Sequence, residues 1–194
     1  GNYEQMLQKY ENLRSFRHDL KKHLKTINAF CEQKQVDKIQ EYIQEILEDH
    51  QKNTVVKTGN AIADCFLNSL FDAMQEDKQF HYNIVGQFSP DLCIDNKDMC
   101  ILIGNLAENA EHAMKKITGE KVFNLEIKQY SQMLFMSISN TAAETAIDEI
   151  RQRKKGHYGI HNIENVVRKY QGDICYLYND GMLCIKISME CPDQ

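Results

Sequence analysis

The chain has 194 residues, enough for one large or two small domains. A formal net charge of −5 disfavours nucleic acid as a partner, and no apolar run approaches the ~20 residues that cross a bilayer. Seven cysteines are an odd number, with no Cys-x-x-Cys pair, which reads as reduced thiols in a cytosolic compartment.

Apolar or aromatic residues recur at Tyr3, Met6, Tyr10, Leu13, Leu20, Leu24, Ile27 and Cys31. Their spacing alternates three and four, the heptad signature of a long helix packing along a seam. With Tyr10, Leu24 and Cys31 at position a, Met6, Leu13, Leu20 and Ile27 fall at d, and Arg17 takes an a position. His18 then falls at b, outside the seam and facing water, with Asp19 beside it. The polar stretch 32–35 gives a turn. A second helix follows, with Val36, Ile39, Ile43, Ile46 and Leu47 on its apolar face. One such hairpin buries its stripes poorly alone. Two copies make a four-helix bundle, so a homodimer is expected.

Thr58-Gly59-Asn60 marks a boundary, predicting domains at 1–57 and 58–194. Helical periodicity resumes through Ile62, Cys65, Phe66, Leu70 and Met74. A strand is predicted at 80–85, a helix over 96–116, and a hairpin of strands at 122–130 and 134–139. The segment 141–155 reads as a polar loop, followed by a helix over 160–170. Two last strands flank Asn179-Asp180-Gly181, a hairpin turn signal. The fold class is α+β: a helical hairpin followed by an α/β sandwich, a mostly antiparallel sheet with helices on one face.

Two constellations carry chemistry. Asn105 and Asn109 lie four apart and share a helix face. Amide oxygens suit a hard cation such as Mg²⁺, and amide protons suit phosphate oxygens. Gly156-His157-Tyr158-Gly159 opens a helix, where glycines let a ligand approach and the free N–H groups suit phosphate. The basic residues Arg151, Arg153, Lys154 and Lys155 precede it. His157 and His161 are also four apart, but they lack the further ligands that zinc needs.

Together these pieces resemble the sensor histidine kinases, in the Agr-like peptide-pheromone receptor class of Gram-positive bacteria with a GHKL-type ATP-binding domain. Phe16-Arg17-His18-Asp19 matches the phospho-acceptor box. Residues 105–110, Asn-Leu-Ala-Glu-Asn-Ala, match the N-box, and 158–163, Tyr-Gly-Ile-His-Asn-Ile, match the second glycine box. The resemblance implies that His18 accepts the phosphoryl group and that Asp19 orients its imidazole and takes its proton. It implies ATP held by Asn105, Asn109, Asn140, Gly156, Gly159 and Ile160, with Mg²⁺ on Asn109. It also implies a homodimer that passes phosphate to a response-regulator receiver domain. Gly1 reads as a processed end, so the resemblance implies an upstream membrane-borne sensor region, with this chain as its cytoplasmic part.

Departures are specific. Lys22 stands four residues after His18, where the family carries Asn or Thr to position water for phosphatase action. The glycines of the family's adenine box are missing from Ser137-Ile138-Ser139-Asn140-Thr141-Ala142, and Asn140 stands in for its aspartate. His157 replaces a common glycine. The alternative reading is a degenerate, non-catalytic dimeric scaffold or phosphotransferase of the same fold. A gyrase-type ATPase is disfavoured, because its glutamate base would stand at Asn105 and an amide cannot act as that base.

Overall fold

The computed structural model describes residues 2–47, 56–75, 77–151 and 158–191. The chain divides into two compact units, residues 1–52 and 53–194.

The first unit holds α1 (Asn2–Glu32) and α2 (Val36–Leu47). Lys34 takes a left-handed φ of 54°, which lets the Gln35 N–H return to the Phe30 carbonyl at 2.9 Å and stops α1. The two helices meet through His23, whose Nδ1 lies 2.9 Å from the Tyr42 hydroxyl, and through Phe30, edge-on to the Tyr42 ring. His23, Ile27 and Phe30 are half-buried. The turn therefore sets α2 against a face of α1 that departs from the predicted seam. Leu20, Leu24 and Cys31 of that seam stay exposed, as do Val36, Ile43 and Ile46 of α2. The side chains of Tyr3, Met6, Tyr10, Leu13 and Leu47 lie outside the described residues.

The second unit runs α3 (Ala61–Met74), β1 (Phe80–Val85), α4 (Asn96–Lys115), β2 (Lys121–Tyr130), β3 (Met133–Thr141), α5 (Thr145–Arg151), α6 (Tyr158–Lys169), β4 (Asp173–Asn179) and β5 (Met182–Glu190). Asn60 caps α3, its Oδ1 accepting from the Ile62 and Ala63 N–H groups at 3.0 Å each. Thr58 is buried and donates through both N–H and hydroxyl to Asp64 Oδ1. The sheet order is β1-β2-β3-β5-β4, with only the β1–β2 pair parallel. At the end of β1, Gly86 has φ +88°, and a Cβ there would sit 1.9 Å from the Ile127 carbonyl oxygen. Alternate residues of the strands, Phe123, Leu125, Ile138 and Ile185, form one wall of the core. Leu67 and Phe71 of α3, Leu102 and Leu106 of α4, and Ile163 and Val167 of α6 form the other. This is the mixed α/β sandwich that the strand and helix periods predict.

Two expectations change. The predicted loop 141–155 contains α5, whose Ile147 packs with Ala142 and Leu183 in a small second core. Nor are all the cysteines separate thiols. Cys93 and Cys191 form a disulfide with Cα atoms 5.3 Å apart, because β5 ends beside the approach to α4. Cys31, Cys65, Cys100, Cys175 and Cys184 are free. No helix among the described residues is long and apolar enough to cross a membrane.

Candidate functional site

The site is built on α4. Its inner stripe, Leu102, Ile103 and Leu106, is buried in the core, which presents Asn105 and Asn109 at the edge of that stripe. Asn105 Nδ2 donates to the Ile101 carbonyl at 2.6 Å, one turn back. That bond fixes the amide and turns Oδ1 toward the start of α6. A Cβ on Gly159 would lie 2.8 Å from Asn105 Oδ1 and 3.5 Å from Asn109 Oδ1. Both amide oxygens therefore converge on one glycine, and only glycine permits so close an approach. Asn109 Nδ2 is buried with no hydrogen-bond partner among the described residues, an arrangement that is costly unless a ligand completes it.

These residues line a cavity of about 570 Å³, within the range of small-molecule sites. Polar groups come from Asn105, Glu108, Asn109, His112, Thr145 and Asn162; apolar walls come from Ala113, Ala146, Ile150, Ile160, Leu183 and Ile185. Lys116 and Glu149 pair at 3.9 Å from the end of α4 to α5, and both line the same cavity. The paired amide oxygens are hard donors of the kind Mg²⁺ prefers, and Glu108 adds a carboxylate to the lining.

The remaining predicted residues divide. Gly159 and Ile160 line the cavity. Asn140 does not. It is buried on β3, in register with Leu183, and its Nδ2 donates to the Thr141 carbonyl at 3.0 Å. Gly156, with Arg153, Lys154, Lys155 and His157, lies outside the described residues. Among the described residues no three His, Cys, Asp or Glu side chains cluster to hold a metal. In the first unit His18 is exposed on α1, its Nδ1 3.6 Å from Asp19 Oδ1. The α5 contributions, Thr145, Ala146, Glu149 and Ile150, escaped the sequence reading. The spacing of Ile147 and Ile150 was the available signal.

A GHKL domain model matches residues 94–190, half of the chain. The chain belongs to the GHKL domain family. No curated protein sequence matches it. The GHKL unit resembles solved histidine kinases in fold. Acinetobacter baumannii histidine kinase AdeS is 12% identical, with TM-score 0.51, covering 81% of this chain and 80% of that one. Mycobacterial sensor histidine kinase MprB is 13% identical, with TM-score 0.50, covering 69% and 95%. Full-length ShkA, solved in complex with AMPPNP, is 13% identical with TM-score 0.51, covering 73% of this chain and 33% of that one. Identities this low establish the fold alone.

Proposed function

We propose that this chain is the kinase core of a two-component sensor histidine kinase, of the peptide-pheromone receptor class. It binds ATP in the α4–α6 cavity, phosphorylates His18, and passes the phosphoryl group to an aspartate of a response regulator. The observation that carries this reading is the convergence of Asn105 Oδ1 and Asn109 Oδ1 on Gly159 at the wall of a nucleotide-sized cavity. The AMPPNP complex of ShkA, a protein of similar fold, supports ATP as the ligand. The exposed apolar residues Leu20, Leu24, Val36, Ile43 and Ile46 support a homodimer joined through the helical hairpins. An upstream sensor region would attach the core to the cytoplasmic face of a membrane.

The residues divide the work by chemistry. Leu183, Ile185 and Ile150 offer an apolar bed for the base. The N–H groups of the first turn of α6 would take phosphate oxygens. Asn109 and Asn105 would hold Mg²⁺, which supplies charge neutralisation on the triphosphate. Catalysis of this kind is mostly positioning and electrostatics. The His18 nitrogen away from Asp19, Nε2, attacks the γ-phosphorus. The bond to the ADP oxygen breaks, and its electron pair leaves with ADP. The Nδ1 proton, made more acidic by the new P–N bond, is accepted by Asp19.

Incubation with γ-labelled ATP tests the reading. The chain should take up acid-labile, base-stable label that His18→Gln removes entirely. Label retained in His18→Gln overturns the site. A dimer that takes up no label is a non-catalytic scaffold of the same fold.

A further inference from the structure

The acceptor histidine does not share Asp19 with water alone. Lys22 Nζ donates to Asp19 Oδ1 at 3.1 Å, and the same oxygen lies 3.6 Å from His18 Nδ1. His18 and Lys22 are one turn apart on α1, and Asp19 sits between them in sequence, so helix geometry makes the trio. A separation of 3.6 Å is too long for a hydrogen bond. In the resting hairpin, then, the carboxylate is bonded to the lysine and only adjacent to the imidazole.

We infer that Lys22 is a positioning residue for phosphoryl transfer: its ammonium pins the Asp19 carboxylate beside His18 Nδ1, which keeps the ring proton on Nδ1 and leaves Nε2 as the nucleophile. This rests on the function proposed above. Without the ammonium, Asp19 is an exposed side chain free to leave its rotamer, and the imidazole loses its orienting neighbour. The hydrogen bond and charge of Lys22, with a smaller contribution from His18, also hold Asp19 below the usual carboxylate range. It therefore stays ionised wherever the kinase works. Among the described residues Lys22 and His18 are the titratable groups acting on Asp19, and none acts on it from α2. His23, the other histidine of this stretch, is engaged with Tyr42 instead.

The transfer step needs no added reactant. One P–O bond of ATP breaks as one P–N bond forms, and the Nδ1 proton passes to Asp19. Lys22 contributes through Asp19 and not to the reacting atoms.

Two measurements on the full chain test this. In a labelling assay Lys22→Met should slow phosphorylation of His18 about threefold, as suits an exposed ion pair, with the KM for ATP unchanged, and Lys22→Arg should restore the rate. In an Asp19→Asn background Lys22→Met should have no further effect. Nitrogen NMR of the His18 ring, which needs no nucleotide, should show a larger Nε2–H tautomer population in Lys22→Met than in the unaltered chain. A wild-type chain that labels at His18, with Lys22→Met labelling at the same rate and showing the same tautomer ratio, overturns the inference. Additive losses in the double variant overturn it too. A wild-type chain that takes no label defeats the kinase reading instead, and the NMR comparison then decides the role of Lys22.

Discussion

Gly159 is the residue on which the site closes. Its Cα stands so near Asn105 Oδ1 that a single methyl must push the amide aside. The amide resists, because Nδ2 is tied to the Ile101 carbonyl. Gly159→Ala should therefore weaken ATP binding about tenfold or more, from about 1–3 kcal/mol of overpacking, while the melting temperature changes little. Isothermal titration beside a thermal melt separates the two effects, and an unchanged affinity would remove Gly159 from the site. This residue was legible in advance, since a glycine opening a helix after a polar stretch signals close approach. The engagement of the Asn140 amide was not. Alternation with Leu134, Met136 and Ile138 puts it on the packed face of β3, but no spacing shows that its Nδ2 is taken up by the Thr141 carbonyl.

At the scale of elements, α4 and α6 are clamped at the end away from the amide pair. Asp98 is buried on the first turn of α4, and accepts from Lys169 Nζ at 2.5 Å and the Tyr170 hydroxyl at 2.8 Å. The same hydroxyl accepts from the Asp95 N–H at 2.9 Å. Burial pushes the Asp98 carboxyl up, but the hydrogen bonds from Lys169 and Tyr170 outweigh it and hold the group below its ordinary 3.8. A depressed carboxylate stabilises the fold above its unfolded value and loses that contribution as pH falls through the folded one. Thermal stability should accordingly drop as the pH is lowered below about 4. Asp98→Asn should cost about 2 kcal/mol at neutral pH and flatten the acid limb. Melting curves across pH check both, and an acid limb as steep in Asp98→Asn as in the unaltered chain would exonerate the clamp. The helix pair itself was readable from apolar periodicity. The clamp was not, because Asp98 and Lys169 are separated by 71 residues. α5 was hidden for another reason: seven residues are too few to show a helical period clearly.

For the whole molecule, the decisive surface is the hairpin. Leu20 and Leu24 are 46% and 57% exposed although the heptad spacing predicts them at a seam. Within one chain α2 covers the His23–Phe30 side and leaves Leu20 and Leu24 exposed, as the proposed homodimer requires. Leu20→Asp combined with Leu24→Asp should yield monomers in sedimentation equilibrium, since each carboxylate would be buried unpaired at the joint. Those monomers should keep the melting behaviour of the α/β unit. A dimer that survives both changes overturns the bundle. The two helices of the hairpin were legible from apolar spacing, whereas the side of α1 taken by α2 depended on the φ of Lys34, which no periodicity records.

The bridge between Cys93 and Cys191 flanks residues 94–190, the very span that the GHKL domain model matches. When the bridge is closed, that span is covalently a ring. Its two ends stay together even in a fully unwound chain, which removes about 5 kcal/mol of freedom from the denatured ensemble in the chain-entropy description. A protease that cuts once in a surface turn of the ring would open it without releasing a fragment, and α4 and α6 would remain part of one molecule until a thiol exchanged into the bond.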